Sequence, residues 1–439
     1  MQADQRDRID SIFARTAIRT QHRQAFSVIA MPKPATHKWT FAPRLRRHAF
    51  GWRSQPAVQR VKEAMSEIRK VTNTDRTLAA AGAVLFIEKI SPALEQVDSS
   101  SGAIGSAVNH AIEALARIIA DAPVDDKIRD QWLDRLWEAH QNDHIPYLES
   151  LGEYWGDLCA SRERASIWAN RLVSAVEASW GADREPGGYF KGTIACLSSM
   201  FGAGRNDELL ALLEKAPYSM WHFRQWGVKA LAATGRKADA IRYAEASRGL
   251  NDSPAAIARA CEEILLSSGL ADEAYARYAI DANQGTTFLA TFRLIAKKYP
   301  TRLPAQILKD LAASTPGQEG KWFAAAKDAG LYSEAIDLVR AAPCDPRTLG
   351  RAARDFASKN PLFAIEAGLA SLDWIAAGYG YEITSVDVTA AWSATIEAAN
   401  NAGKVDETRS RIRAMLSGPD TPSMTFVSEV LDRMPDSQR

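Results

Sequence analysis

The chain has 439 residues, of which 46% are apolar, and its formal net charge is +1. This length allows two or three domains or one long array, and the apolar share is ordinary for a globular protein. No apolar run approaches the ~20 residues that cross a bilayer, and the four cysteines lie far apart without a Cys-x-x-Cys pair. We therefore expect no membrane partner, no zinc knuckle, no disulfide framework, and a cytoplasmic location with reduced thiols.

Positive charge is concentrated at the N-terminal end of the chain. Residues 1–70 carry a net charge of +10, and the remainder carries −9. Between Ser11 and Lys62 there are eleven Lys and Arg residues and no acid. Such a run is typical of an arm that binds nucleic acid, a membrane surface or an acidic partner. The alternative, which we favour, is that the arm packs on the acidic body of the same chain.

The first 53 residues divide into two segments. Met1–Ala30 is rich in Arg and Gln without an apolar period, so we expect it to be disordered, and Met31 is a candidate native start. Residues 31–53 are rich in Pro, Trp and Arg and predict an extended strap that buries its aromatic side chains against the first helices. The alternative is that these aromatic and basic side chains contact bases and phosphates. The candidate partner-binding residues of this segment are Arg44, Arg46, Arg47, Trp52 and Arg53.

Residues 54–180 predict an N-terminal half built from helices. The segment is rich in Ala with few β-branched alternations, a composition that favours helix. The apolar residues of its first stretch recur at a spacing of three or four, which predicts an amphipathic helix over Pro56–Lys70. A second helix is expected over Leu78–Ile90 and is expected to end at Pro92.

His140 and His144 stand four residues apart near the end of a helix predicted over Asp125–His140. This spacing could hold a metal ion if both side chains lay on one helix. The following Gln141-Asn142 and Pro146 indicate instead that the helix ends there. We therefore expect no metal site and a cationic helix end, where positive charge meets the negative end of the helix dipole.

The second half, residues 191–417, is organised by a recurring signature of Gly, three variable residues and an acid. A Gly- and Pro-rich stretch at 181–188 precedes it as a boundary or long loop, and a polar tail, 418–439, follows it. In each copy the glycine suits the left-handed conformation that ends a helix, and the acid falls in the first turn of the next helix. The signature begins at Gly204, Gly235, Gly269, Gly330 and, more weakly, Gly403.

The glycine spacing predicts units of about 30–43 residues, the size of a helix pair in a repeat array. The two longest intervals are divided near their midpoints by Tyr299-Pro300 and Asn360-Pro361. The half-repeat resembles the tetratricopeptide repeat, in which Gly-x-x-x-Glu-Ala-Ile spans the junction between two helices. This resemblance implies an all-α fold, an α-solenoid of antiparallel helix pairs with degenerate repeats. The whole chain also resembles bacterial proteins without an assigned activity, through Phe50–Arg53, Asp98–Gly102 and Gly378–Glu382.

The loop Gly378-Tyr379-Gly380-Tyr381-Glu382 interrupts the repeat pattern and could form the edge of a site or simply fill the end of the array. Tyr379 and Tyr381 are therefore candidate partner-binding residues. No catalytic motif occurs, so no catalytic residue, metal or cofactor is predicted, and an enzyme is the third hypothesis. The leading hypothesis is a scaffold or adaptor that binds a protein or peptide. The alternative is a nucleic-acid-associated protein that uses the basic N-terminal arm.

Overall fold

The computed structural model describes residues 37–181, 189–249, 253–418 and 421–433. Throughout these ranges the chain is helical and contains no β-strand, which confirms the all-α prediction. The expectation of disorder in Met1–Ala30 lies outside the described residues, as do residues 31–36, 182–188 and 434–439.

The N-terminal half contains six α-helices, preceded by the strap, residues 37–53. The helices are α1 (Ser54–Thr72), α2 (Arg76–Leu94), α3 (Ala103–Ala120), α4 (Asp126–Gln141), α5 (Trp155–Leu158) and α6 (Arg162–Trp180). Short 3-10 helices lie at Ala42–Arg44 in the strap and at Glu149–Tyr154 before α5.

The second half continues with helices that are mostly shorter. They are α7 (Thr193–Gly202), α8 (Asn206–Leu213), α9 (Trp221–Ala233), α10 (Lys237–Glu245), α11 (Pro254–Leu266), α12 (Ala271–Ala282), α13 (Phe288–Lys298), α14 (Pro304–Ala313), α15 (Phe323–Asp328), α16 (Tyr332–Ala341), α17 (Pro346–Phe356), α18 (Pro361–Ala376), α19 (Ser385–Ala402), α20 (Val405–Leu416) and α21 (Pro422–Asp432). A further 3-10 helix, Glu319–Trp322, leads directly into α15.

The strap is docked on α1 and α2. Its apolar side chains, Trp39, Phe41, Leu45 and Phe50, are buried. A Cβ atom at Gly82 would overlap the Trp39 ring, so the glycine forms a notch in α2 that admits the indole. The Phe41 ring meets the Phe86 ring edge-on, with centroids 6.0 Å apart. Burial of these four side chains holds the strap on the helices that follow it.

Helix α2 is the one described helix that is long and apolar enough to cross a membrane by length and composition. Eleven of its residues are buried inside the fold, as expected for the central helix of a packed domain. The sequence predicted that this helix would end at Pro92, but it continues to Leu94. The residues around Pro92, namely Ser91, Ala93 and Leu94, are all buried, and their packing compensates for the hydrogen bond that proline cannot donate.

Apolar side chains form three core clusters in chain order. The first extends from Trp39 to Ala230, the second from Val228 to Ala394, and the third from Ala357 to Leu431. Helices α6 and α7 lie on either side of the Gly- and Pro-rich stretch, and both belong to the first cluster. The core therefore continues past residues 181–188, and the transition between the first two clusters lies within α9.

Each signature glycine of the second half adopts a left-handed conformation. The φ angles of Gly204, Gly235, Gly269, Gly330 and Gly403 lie between 66° and 79°. After each glycine, the next N–H donates to a carbonyl five residues back, as in Arg236 N to Leu231 O at 2.9 Å and Leu331 N to Ala326 O at 2.9 Å. This hydrogen bond closes the end of one helix and directs the chain into the next. The acid of each signature lies in the first turn of the second helix, in α8, α10, α12, α16 and α20.

We call this left-handed turn between two helices a glycine corner. Gly378 forms a sixth glycine corner, which the sequence analysis missed. Its φ is 84°, and the Tyr379 N–H donates to the Trp374 carbonyl at 2.9 Å. An acid, Glu382, follows four residues later, but it has a φ of 48° and does not start a helix. Helix α19 begins only after Thr384, whose side chain forms a reciprocal capping box with Asp387. We call residues Gly378–Glu382 the tyrosine loop. This loop begins with a glycine corner, but the next helix starts only at Ser385.

Most consecutive helices of the second half pack on one another. The first helices of neighbouring pairs also touch, as α7 with α9, α9 with α11, α13 with α15, and α17 with α19. Tyrosine hydroxyls tie the neighbouring pairs together by donating to carboxylates. These bonds run from Tyr278 to Glu245 at 2.6 Å, from Tyr299 to Glu262 at 2.6 Å and from Tyr275 to Asp310 at 2.8 Å.

Candidate binding surfaces

Acidic residues of the first helices neutralise half of the strap arginines. The Arg44 Nη1 lies 3.2 Å from a Glu63 carboxylate oxygen, and the Arg47 Nε lies 3.1 Å from Glu95. Arg46 and Arg53 are exposed and form no ion pair with any described residue. The docking that the sequence analysis favoured is therefore observed for the strap backbone and two of its four candidate arginines.

Trp52 behaves differently from the other aromatic residues of the strap. Its side chain is 72% exposed, whereas Trp39 and Phe50 are buried. Its backbone carbonyl accepts a hydrogen bond from the Asp98 N–H at 2.8 Å, which fixes the main chain beside the loop between α2 and α3. The main chain is therefore held in place while the indole remains on the surface.

The tyrosine loop forms a second, separate surface. Tyr381 is 79% exposed, and the Tyr379 ring packs edge-on against Trp374 with centroids 4.9 Å apart. Arg347 holds the loop by donating to the Glu382 carbonyl at 2.8 Å. The loop lies beside the third core cluster and the strap beside the first, so the structure does not bring the two sets of predicted site residues together.

Arg347 also anchors the start of the next helix. Its guanidinium donates to both Asp387 oxygens, at 2.7 and 3.0 Å. These hydrogen bonds, followed by those from Thr384, hold the pKa of the Asp387 carboxyl far below its usual range. Asp387 therefore stays ionised at physiological pH, and this part of the loop has a fixed geometry.

A groove crosses the first helices of three consecutive pairs, α7, α9 and α11. We call it the alanine groove, and its volume is about 580 Å³. Its floor is formed by small or apolar side chains, namely Val228, Ala232, Ala256, Ala260 and Ile264. Its polar lining residues include Gln225, Lys229, Arg259 and Glu263. The sequence analysis missed this groove because its residues come from separate helices, although the alanines of α9 and α11 were a usable signal.

His140 and His144 do not lie on one helix, because α4 ends at Gln141. His140 is buried, and burial together with the nearby Lys191 lowers its pKa to about 4. The imidazole is therefore neutral at physiological pH, so the prediction of a cationic helix end is wrong for His140. The neighbouring Asp143 accepts hydrogen bonds from the Ser91 hydroxyl and from the Leu148 N–H. No group of three ligating side chains that could hold a metal ion occurs in the described ranges.

The cysteines offer no reactive thiol. All four are buried and unpaired. Burial raises the pKa of Cys159, Cys196 and Cys344 to about 12. These thiols are therefore protonated at neutral pH, and the thiolate that acts as a nucleophile is absent.

No protein-family model matches the chain, and no curated protein is significantly similar to it. A function for the chain must therefore be inferred from the geometry and charge of its surfaces.

Proposed function

We propose that this chain is a tetratricopeptide-like α-solenoid of antiparallel helix pairs that binds a protein or peptide partner, as a scaffold or adaptor. The alanine groove carries the proposal, because it joins the first helices of three consecutive pairs. Faces shared by successive repeats are the usual working surfaces of such arrays.

The chemistry of the groove indicates the kind of segment it would accept. Alanine side chains on the floor allow another backbone to approach α9 and α11 closely. Lys229 and Arg259 are exposed cations, and Glu263 is an exposed acid. The Lys229 ammonium lies 4.0 Å from the Trp226 ring centroid, which places it over an aromatic face. We infer a partner segment with apolar side chains for the floor and an acidic group for the cations.

A buried carboxylate holds the groove rigid. Glu262, one residue before Glu263 on α11, is 1% exposed. Its oxygens accept hydrogen bonds from Asn283 at 2.7 Å, Lys298 at 2.7 Å and Tyr299 at 2.6 Å. These donors lie just after α12 and at the end of α13, so α11 is fixed to the pair that follows. A groove ordered in this way loses little conformational entropy when a partner binds.

The proposal includes a cytoplasmic location and a bacterial source. The location is supported by the four unpaired cysteines, because a reducing compartment preserves free thiols. The bacterial source rests on the resemblance of the whole chain alone.

Selection from a displayed peptide library tests the proposal. Ala233 lines the groove at the end of α9, and Ala238 is an exposed alanine on α10 outside it. We expect selected peptides to lose at least tenfold in affinity for Ala233→Trp and to keep their affinity for Ala238→Trp, while both variants melt like the parent. If no peptide is enriched, or if both variants bind equally well, the groove is not the binding site.

A further inference from the structure

We infer that the N-terminal half binds single-stranded nucleic acid along a second groove, between α1 and α3. We call it the basic groove, and its volume is about 490 Å³. Its polar lining residues are Lys62, Ser66, Arg69, Lys70, Asn73 and His110. It was not among the sites expected from the sequence, and it does not depend on the proposed peptide site.

The basic groove contains positive charge without a compensating carboxylate. Lys62, Arg69 and Lys70 are exposed and form no ion pair with any described residue. Four other grooves in the described ranges each include at least one Asp or Glu among their lining residues. The basic groove differs from these four in having a charge that suits a polyanion.

The strap explains why the acids of α1 do not neutralise this groove. Glu63 is paired with Arg44 and Arg60, at 3.2 and 2.6 Å. Glu67 accepts hydrogen bonds from the Thr40 backbone N–H at 2.7 Å and from its hydroxyl. Both acids are thus engaged on the strap side of α1. Lys62 and Arg69 project from a different face of the same helix and remain available.

The polar groups of the groove form a row suited to a linear ligand. Lys62, Ser66, Arg69 and Asn73 follow one another at intervals of three or four residues, so they lie on one side of α1. The row rises by about 16 Å, with a polar group at roughly every 5.4 Å turn. Regularly placed donors along a groove are typical of sites that follow a phosphate backbone.

An exposed aromatic residue favours nucleic acid over an acidic peptide. Trp52 is 72% exposed and lies two residues before the first residue of α1. Its neighbour Arg53 is an exposed cation without an ion pair in the described chain, as is Arg46 of the strap. An exposed indole followed in the chain by an unpaired arginine gives a base a face to stack on and a charge for its phosphate.

Fluorescence anisotropy with a labelled single-stranded RNA of mixed sequence, measured from low to moderate salt, tests this inference. The variant Lys62→Gln/Arg69→Gln removes two charges from the groove. We expect at least tenfold weaker binding and a salt slope reduced by about 1.4, because two phosphate contacts are lost. Trp52→Ala should weaken binding by roughly tenfold through the loss of base stacking.

Arg44→Gln/Arg47→Gln is the matched control, because it removes the same charge from residues that are paired with Glu63 and Glu95. We expect it to retain most of the affinity. Undetectable binding of the parent at low salt would overturn the inference, as would equal loss in the two double variants. Displacement of the RNA by polyglutamate at equal charge concentration would also overturn it, because the site would then accept any polyanion.

Discussion

Helices α2, α4 and α6 of the N-terminal half begin on side-chain caps, whereas five helices of the second half follow glycine corners. Asp75, Asp125 and Ser161 each accept a backbone N–H of the helix that they precede. In contrast, α8, α10, α12, α16 and α20 have no side-chain cap. A side-chain cap satisfies one donor, but a glycine corner also fixes the path by which the chain leaves the previous helix.

This difference accounts for what each half needs in order to be stable. Repeated glycine corners set a helix against the one before it by a local rule. The N-terminal half lacks such a rule, and distant segments hold it together instead: the strap on α1 and α2, and Lys191 on the carbonyl of Asp143 at 2.5 Å. Variants that remove a distant contact, a glycine corner or a side-chain cap should therefore lower the free energy of unfolding by different amounts.

Removal of the strap should have the largest effect. Deletion of residues 1–53 removes the four buried apolar side chains of the strap and exposes the helix surface that they cover. The burial of each side chain stabilises the fold by at most roughly 1.5–3 kcal/mol. We expect the free energy of unfolding to fall by about 3 kcal/mol or more in chemical denaturation. Deletion of residues 1–30 should leave it unchanged. A loss of stability in the shorter deletion would show that Met1–Ala30 contributes to the fold.

Substitution of a corner glycine should have an intermediate effect on stability. Gly330 has a φ of 75° and no atom within 4 Å of a Cβ built on it, so strain and not collision opposes a side chain there. We expect Gly330→Val to lower the free energy of unfolding by about 1 kcal/mol or more, because a β-branched residue is strained at positive φ. Gly51→Val is the control, since Gly51 is equally open and lacks a positive φ. Equal melting temperatures for the two variants would contradict this view of the corner.

Removal of a side-chain cap should have the smallest effect on stability. The Asp125 side chain accepts the Ile128 N–H at 2.8 Å, whereas Ser253 precedes α11 without a side-chain cap. We expect Asp125→Ala to cost about 1 kcal/mol and Ser253→Ala to cost less than about 0.5 kcal/mol in thermal melts. Equal losses would mean that Asp125 stabilises the chain by some means other than its cap.

The sequence revealed the corners because their requirement is local. A left-handed residue at the end of a helix is usually glycine, and the acid of the next turn stands at a fixed distance from it. Gly378 was missed because the Tyr379-Gly380-Tyr381 sequence that separates it from the acid is typical of a loop and not of a helix start. The strap was also predictable, since four large apolar side chains in a short segment need cover.

The two grooves could not be identified in the same way. Lys62 and His110 line one groove because α1 packs on α3, and Ala232 and Ala260 line another because α9 packs on α11. Neither contact has a sequence signature, because packing between helices depends on shape and not on spacing. The row from Lys62 to Asn73 on one side of α1 was nevertheless visible in the sequence. The charge asymmetry instead indicated the arginines of the strap as binding residues, and two of these form ion pairs with Glu63 and Glu95.

The docking of the strap has a consequence for the order of events during synthesis. The strap leaves the ribosome before α1 and α2, but its partners extend to Glu95 and Asp98. It must therefore wait until α1 and α2 have emerged before its aromatic side chains find cover. Domains fold as units from the N-terminus during translation. The closed N-terminal half can thus serve as a template on which α9 and then each later helix pair is added as it appears.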